Sequence, residues 1–226
     1  MHCDEFQPKL IYLARRNPEL SREAFRLRWR QHGALGMSRP RWRNIARYVH
    51  GDVIDRDDYD GIGQIWHRSR AARAAHLADT DSRLQMEQDE FETFAEPIVN
   101  VCLLAREYVL LGPPPLGVST TGAGEPDGPV KLTRFLTSHA PGDSTELRLR
   151  LDAIGVALCG QVINLPLPPE RGDTWGLRCA CIEELWFASL EDARRAALAA
   201  ASAMHSNAIV VLSRDVGLFG PEPATA

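Results

Sequence analysis

This 226-residue sequence has few lysines, no disulfide pattern and no long apolar run. No apolar segment approaches the ~20 residues that cross a bilayer, which excludes a transmembrane protein and a membrane partner. The amino terminus, residues 1–5, has neither a basic region nor an apolar core, so we expect no secretory signal. The five cysteines are odd in number and scattered apart from Cys179 and Cys181. Reduced thiols and a cytoplasmic location are therefore expected.

An excess of positive charge is also absent. Residues 1–112 carry 17 Lys and Arg against 17 Asp and Glu, and the remainder carries 9 against 13. Nucleic-acid-binding domains are normally basic, so we expect no nucleic-acid partner. One local exception, residues 39–43, places three arginines around Trp42; it could hold an anionic group of a ligand or form a solvated loop.

Glycine-rich phosphate-binding motifs are missing as well. The nearest approach, Gly61-Ile62-Gly63, lacks the third glycine of a dinucleotide fingerprint, and no nucleophile elbow occurs. Nucleotide-dependent chemistry is therefore not expected.

What the sequence does contain is an internal repeat. The matching segments, in chain order, are 8–13 with 130–135, 64–67 with 184–187, and 104–107 with 212–215. The only two lysines, Lys9 and Lys131, belong to the first match. The offset shrinks from 122 to 108 residues, which indicates a deletion in the last helical region of the second copy. Residues 113–129 are dense in proline and glycine, so we predict a linker there between units 1–112 and 130–226.

Hydrophobic patterning predicts the order β-α-β-β-α-β in each unit. In the first unit, the expected strands are Lys9–Arg15, Ile45–Val53, Gly61–His67 and Ile98–Leu111. The expected helices begin at the N-cap Ser21 and cover Ser69–Leu77 and Ser82–Phe94. Gly33 is expected to end the first helix, and we expect the last helix to turn three side chains toward the core: Leu84, Phe91 and Phe94.

This element order is that of the ferredoxin-like unit, an α+β fold. One such unit covers a single face of its sheet with helices, and the bare face would expose more apolar surface than a monomer tolerates. We therefore predict two tandem ferredoxin-like units packed sheet to sheet as an intramolecular α/β barrel.

Five segments of the first unit together resemble a known family. They are Lys9–Leu13, Leu20–Phe25, Trp29–Gly33, Asp60–Trp66 and Asp89–Phe91. Over residues 8–112 they look like the EthD family of the dimeric α/β-barrel superfamily, while the second unit matches only in its fold pattern. The resemblance implies a small-molecule cavity between sheet and helices and leaves a homodimer open. It implies no single reaction, because related barrels include cyclases, dehydratases and monooxygenases that need no cofactor.

His32 is the strongest candidate for a catalytic group. It shares a helical face with Phe25 and Trp29 that is directed toward the sheet, and imidazole can both take and give a proton near neutral pH. The alternative is a histidine that only interacts with carbonyls at a helix end. At the 122-residue offset the corresponding residues are all apolar: Leu147, Leu151 and Ile154.

Other side chains of the first unit could orient a substrate or stabilise an oxyanion. They are Tyr12, Trp29, Tyr48, His50 and Trp66. Each could instead be a core aromatic, and the match of Trp66 to Trp186 favours packing there. Three carboxylates could serve as partner of a histidine: Asp60, Asp89 and Glu90. No metal site is expected, because no two of the histidines in the first unit have the spacing of helical ligands.

The sequence thus predicts an enzyme that uses no cofactor and acts on a small apolar metabolite with a carbonyl or phenol group. His32 would be its general acid and base, in a lyase or isomerase reaction such as dehydration, cyclisation or enolisation. Two alternatives stay open: an oxidoreductase (a cofactor-free monooxygenase or its accessory protein), and a protein that binds a hydrophobic metabolite without turnover. In each, the second unit is structural.

Overall fold

The computed structural model describes residues 6–113, 128–138, 143–169, 175–203 and 208–220. The strands of the first half are β1 (Lys9–Ala14), β2 (Ile45–Val53), β3 (Gly61–His67) and β4 (Cys102–Leu111). Its helices are α1 (Arg22–Met37), α2 (Arg70–Ala78) and α3 (Thr80–Thr93), with 3-10 turns at Pro40–Asn44 and Ile98–Val101. The predicted linker, 113–129, lies almost wholly outside the described residues.

The second half contributes four more strands and two helices. They are β5 (Val130–Leu136), α4 (Asp143–Ala153), β6 (Gly160–Pro166), β7 (Cys181–Phe187), α5 (Leu190–Ala203) and β8 (Ile209–Phe219). A single helix, α5, stands where the first half has α2 and α3. Within the described residues, no helix is both long and apolar enough to span a membrane.

The eight strands form one closed antiparallel barrel in the order β1-β3-β2-β8-β5-β7-β6-β4. Each half contributes four consecutive strands of this order, with its first and third strands in the middle. The halves join at two seams, where β2 pairs with β8 and β4 pairs with β6. The α+β fold is therefore a barrel surrounded by helices.

An apolar cluster drawn from both halves fills one part of the barrel interior. Ile11, Leu13 and Ile62 from the first half pack with Phe135 and Ile182 from the second. Because side chains alternate along a strand, the neighbours Tyr12 and Ala14 point outward, where they pack against α1. The helices thus cover a second layer of side chains on the outer face of the sheet.

A cluster of charged and amide side chains, all buried except the partly exposed Glu107, occupies another part of the interior. Its members, which we call the interior charge cluster, are Lys9, Gln64, Glu107, Lys131, Asn164, Glu184 and Asp215. Both lysines bind Glu184, at 2.5 Å from Lys9 and 3.2 Å from Lys131. Each lysine also pairs with a carboxylate from the last strand of its own half, Glu107 or Asp215, at 2.7 Å.

Several sequence expectations match these elements, and others need correction. Helix α1 begins after Ser21, whose side chain accepts a hydrogen bond from the amide of Ala24, as predicted. It does not end at Gly33 but continues to Met37. The glycine at position 33 serves packing inside the helix. A Cβ there would stand 3.0 Å from Leu218 and 3.2 Å from Tyr48, so the missing side chain lets the helix pack closely on the sheet.

The other corrections concern exposure and strand bounds. Leu84 and Phe91 do not face the core: they are 55% and 63% exposed, whereas Phe94 is buried. The segment Ile98–Val101 forms a 3-10 turn after Pro97, so the last strand of the first half starts only at Cys102. Ile154 lies just past the end of α4 and is 38% exposed, so it does not extend the buried face of that helix.

Candidate functional site

A cavity of about 620 Å³ lies between the outer face of the first-half sheet and its helices. Strands β1, β2 and β3 form its floor, and side chains of α1, α2, α3 and both 3-10 turns form its walls. Much of the wall is apolar: Leu10, Ile65, Met86, Phe91, Ile98 and Val99. Trp175, from the second half, closes one side.

His32 lines this cavity from α1 and is held by a carboxylate. Its Nδ1 donates a hydrogen bond of 2.6 Å to Oδ2 of Asp89 on α3. The other oxygen of Asp89 accepts a 2.6 Å bond from Arg28, one helical turn before His32. The ring of Phe94 meets the imidazole edge to face at 5.2 Å. These contacts fix the ring and leave Nε2 without a hydrogen-bond partner among the described residues.

The electrostatics of this pair favour a neutral imidazole. Burial lowers the pKa of His32 below its ordinary value, and the hydrogen bond and charge of Asp89 offset this only in part. Burial would raise the pKa of Asp89, but the bonds from Arg28 and His32 outweigh it and keep that pKa below its ordinary value. A carboxylate that accepts from Nδ1–H places the lone pair on Nε2, so His32 faces the cavity as a base.

Two tyrosine hydroxyls meet on the cavity floor. Tyr12 on β1 and Tyr48 on β2 lie 3.3 Å apart, oxygen to oxygen, and the indole of Trp29 donates a 3.1 Å bond to the Tyr12 hydroxyl. The three groups have three donor protons, and the two bonds between them use two. One hydroxyl proton is left for the cavity. Burial raises the pKa of Tyr12 to about 12 and that of Tyr48 well above its ordinary value, so both stay protonated donors.

The tyrosines reach this position because the strand beside them lacks side chains. The Tyr12 ring lies across Gly63 of β3, where a Cβ would stand 1.9 Å from the ring carbon Cζ. The Trp29 ring lies in the same way across Gly61, at 2.4 Å. Glycine at these two positions therefore lets two large rings lie flat against the sheet under α1.

Glu90, the residue after Asp89, also lines the cavity. Its Oε2 accepts a 3.0 Å bond from the amide of Ile98. Burial raises the pKa of Glu90 to about 7, although this hydrogen bond lowers it. The cavity therefore contains two proton-exchanging groups, His32 and Glu90, with pKa values displaced in opposite directions from their ordinary values.

A third group of polar side chains lies where the turn Pro40–Asn44 meets α2. His76 donates from Nδ1 to the carbonyl of Arg41 at 3.2 Å, and its ring packs edge to face on His67 at 5.3 Å. Burial, with the nearby arginine charges, lowers the pKa of His67 to about 3 and that of His76 to about 4. Both histidines are therefore neutral at pH 7. Within the described residues, no three His, Cys, Asp or Glu side chains are grouped so that they could hold a metal ion.

The predicted site residues fall into three groups. His32, Tyr12 and Tyr48 line the cavity, and of the three carboxylates considered, Asp89 is the one that bonds to His32. Trp29 and His50 lie behind this lining, stacked on each other at 3.7 Å.

The prediction that Trp66 could orient a substrate needs correction. It alternates to the barrel-interior face of β3, where Lys9 lies over its ring at 4.5 Å, so it does not line the cavity. The carboxylate Asp60 is bonded to Arg16 instead of a histidine. Sequence reasoning missed His76 and Trp175, since neither lies in a motif and Trp175 comes from the other half.

The sequence matches no protein-family model and no curated protein. Solved structures do match. An anthrone oxidase-like protein aligns over 99% of this chain and 98% of its own, with a TM-score of 0.55 and 14% identity. A protein of Fusobacterium nucleatum, provisionally named a monooxygenase, aligns over 100% of both chains with a TM-score of 0.54 and 5% identity. One of Lactobacillus acidophilus with the same provisional name aligns over 94% of both, at 0.51 and 9%.

This chain therefore shares the fold of these neighbours. At such low identities the likeness concerns the fold alone, so the chemistry has to be argued from the residues of the cavity.

Proposed function

We propose that this protein is an EthD-like enzyme that moves a proton on a small, largely apolar substrate with a carbonyl or phenol group, in an isomerase or lyase reaction. The observation that carries the proposal is the His32–Asp89 pair. An imidazole with its Nδ1 bonded to a carboxylate and its Nε2 open to an apolar cavity is the arrangement that a general base requires.

In the proposed reaction, Nε2 of His32 removes a proton from a carbon made acidic by conjugation with the substrate carbonyl, or from a phenol. Asp89 stabilises the imidazolium that forms, and Arg28 holds Asp89 in place. A low-polarity cavity strengthens this pairing, because charges interact more strongly away from water.

The Tyr12–Tyr48 pair would bind the substrate oxygen. As negative charge develops on that oxygen, the one hydroxyl proton left over by the Trp29–Tyr12–Tyr48 chain can be donated to it. This role is supported by the burial of both hydroxyls and by their position on the cavity floor.

Glu90 would donate a second proton to the substrate, and solvent would afterwards take the proton from His32 and reprotonate Glu90. Its pKa of about 7 keeps a large part of the carboxyl protonated at neutral pH, so it can protonate a second carbon or a leaving hydroxide. A base, an acid and an oxyanion donor together suffice for enolisation, and with a leaving group for dehydration.

An oxidoreductase is the second candidate, since the neighbours named above carry oxidase or monooxygenase names. The first step would be the same, because a substrate anion formed by His32 can react with dioxygen when it is electron-rich. The two candidates thus share proton removal and differ in the fate of the substrate anion, which is either reprotonated or oxidised.

We further propose that residues 1–112 and 130–226 are two ferredoxin-like units derived from one ancestor, of which only the first kept a reacting site. Support comes from equivalent positions in the interior charge cluster. Lys9 and Lys131 occupy the same place in the first strand of each half, and Gln64 and Glu184 the same place in the third.

Anthrone is a suitable test substrate, because it is apolar and its methylene, which lies across the central ring from the ketone, is made acidic by conjugation with that ketone through the aromatic rings. We expect the protein to accelerate exchange of the methylene hydrogens in D2O without oxygen, and His32→Gln to reduce the rate at least 100-fold. Asp89→Asn should reduce it about tenfold or more, since a charge-assisted hydrogen bond is lost. The matched control is Asp81→Asn, which removes an exposed carboxylate of the same helix.

The same incubation under air separates the candidates. Oxygen consumption with formation of anthraquinone favours the oxidoreductase, and exchange without oxygen consumption favours the isomerase or lyase. Tight binding with neither would indicate a binding protein. Full exchange activity in His32→Gln would refute the role of His32.

A further inference from the structure

The cavity has a cationic end that the proposed proton transfer does not use. Arg41, from the turn Pro40–Asn44, lines the cavity beside His67 and His76. Its backbone carbonyl accepts the bond from His76, but its guanidinium makes no hydrogen bond or ion pair with any described residue. A half-buried guanidinium without a partner is costly, because five N–H donors are partly removed from water.

A second group at this end lacks a partner as well. His67 is only 4% exposed and lines the cavity, and its buried Nδ1 has no hydrogen-bond partner in the described part of the chain. Few buried polar atoms in proteins stay unpaired, and those that do commonly face a ligand or an ordered water. The two unsatisfied groups belong to different elements, the 3-10 turn and β3, and both line the same cavity.

The carboxylates near Arg41 do not neutralise it. Glu87 lines the cavity at its exposed rim but pairs with Arg83 at 3.5 Å, while Asp79 is used as the N-cap of α3. Glu90 bonds to the amide of Ile98, and burial raises its pKa to about 7, which reduces its negative charge at neutral pH. His67 and His76 are neutral. Among the described residues, the Arg41 guanidinium is therefore left without a carboxylate partner, which a ligand would supply.

We propose that the cavity takes substrates that carry a single carboxylate, held by Arg41 with His67, and that this group orients the apolar ring toward His32. A planar guanidinium pairs with a carboxylate through two parallel bonds, which fixes direction as well as affinity. A phosphate ester would bring a second negative charge into a cavity that Glu87 and Glu90 also line, so a carboxylate fits better. The orienting role rests on the proposed function, whereas the binding preference does not.

Binding of 2-naphthoate, 2-naphthamide and 2-naphthyl phosphate, measured by titration calorimetry on the full chain, tests the inference. We expect naphthoate to bind at least about tenfold more tightly than the neutral amide, as one charge-assisted pair supplies. Arg41→Gln should abolish that preference while changing naphthamide affinity less than twofold. Arg41→Lys keeps the positive charge but cannot form the two parallel hydrogen bonds of a guanidinium, so it should retain part of the preference for naphthoate. The matched control, Arg43→Gln, removes an exposed arginine from the same turn and should change neither affinity.

Each other outcome contradicts the inference. Equal affinity for naphthoate and naphthamide, no binding of naphthoate, or an unchanged preference in Arg41→Gln would remove the role of Arg41. Tighter binding of the phosphate through Arg41 would overturn the choice of a carboxylate. His32→Gln should keep the full preference for naphthoate over naphthamide, because His32 does not bind the carboxylate. If the wild type shows this preference but does not accelerate proton exchange, the proposed function is refuted and this inference stands.

Discussion

The interior charge cluster gives the sharpest prediction about stability. Glu184 is fully buried, and four donors converge on its two oxygens. Lys9 and Asn164 donate to Oε2 at 2.5 and 2.8 Å, while Lys131 lies 3.2 Å from Oε1, which also accepts from Gln64. In Glu184→Gln, the new amide NH2 must face one pair of these donors. Two buried donors then lose their acceptor in a site that water cannot reach.

We expect this change to lower the free energy of unfolding by about 3–5 kcal/mol, the usual cost of removing one partner from a buried ion pair. For a chain of this size the melting temperature should fall by about 6–20 °C. Glu107→Gln is the control, because Glu107 is partly exposed and, among the described residues, its carboxylate binds Lys9 alone. Its loss should be about 1 kcal/mol.

Glu184 also makes the free energy of unfolding depend on pH. Although burial would raise the pKa of Glu184, the charges of Lys9 and Lys131 hold it far below its ordinary value. Because the folded-state pKa lies below the unfolded one, the stabilisation is present at neutral pH and is lost as the pH falls below about 4.5. Urea denaturation from pH 7 to pH 3 should show a steeper loss in the wild type than in Glu184→Gln. Equal stability of Glu184→Gln and Glu107→Gln at pH 7 would refute the reasoning.

Two further predictions concern the cavity. Gly63→Ala places a Cβ inside the Tyr12 ring and should lower the free energy of unfolding, measured by urea denaturation, by about 1–3 kcal/mol. In Gly36→Ala the Cβ would meet the flexible end of Met86 at 3.4 Å and the ring of Trp42 at 3.6 Å, which are ordinary contact distances, so the loss should be less than about 1 kcal/mol. Similar losses in both variants would contradict the packing. If Glu90 is the proton donor, the wild-type rate of anthrone exchange should fall as the pH rises through about 7, and Glu90→Gln should lack this alkaline limb; a limb that persists would exclude Glu90.

Local patterns predicted the strands well. The predicted bounds of β2 and β3 equal the observed ones, because apolar residues alternate along these strands or turn residues stand at their ends. The N-cap of α1 at Ser21 was also visible in the sequence. Gly33 misled the prediction of the helix end, since a glycine inside a helix and one after it look alike. The reason for a glycine at position 33 is the close approach of Leu218 and Tyr48, which belong to strands distant in the sequence.

The site was predictable only in part, for a similar reason. The helical phase directed His32 to the sheet, yet the choice of Asp89 over Asp60 depends on how α3 packs on α1. Trp66 was misplaced because the parity of a strand shows which residues share a face but not which face looks into the barrel. The buried lysines were visible as the only two in the chain, whereas their shared partner Glu184 required the closed barrel.

The proton position on His32 tests the central claim most directly. Nitrogen-15 NMR of the histidine side chains at pH 7 should show a neutral His32 with its proton on Nδ1 and a bare Nε2, and Asp89→Asn should lose this preference for one nitrogen. A proton on Nε2, or a doubly protonated ring at pH 7, would contradict a base that faces the cavity.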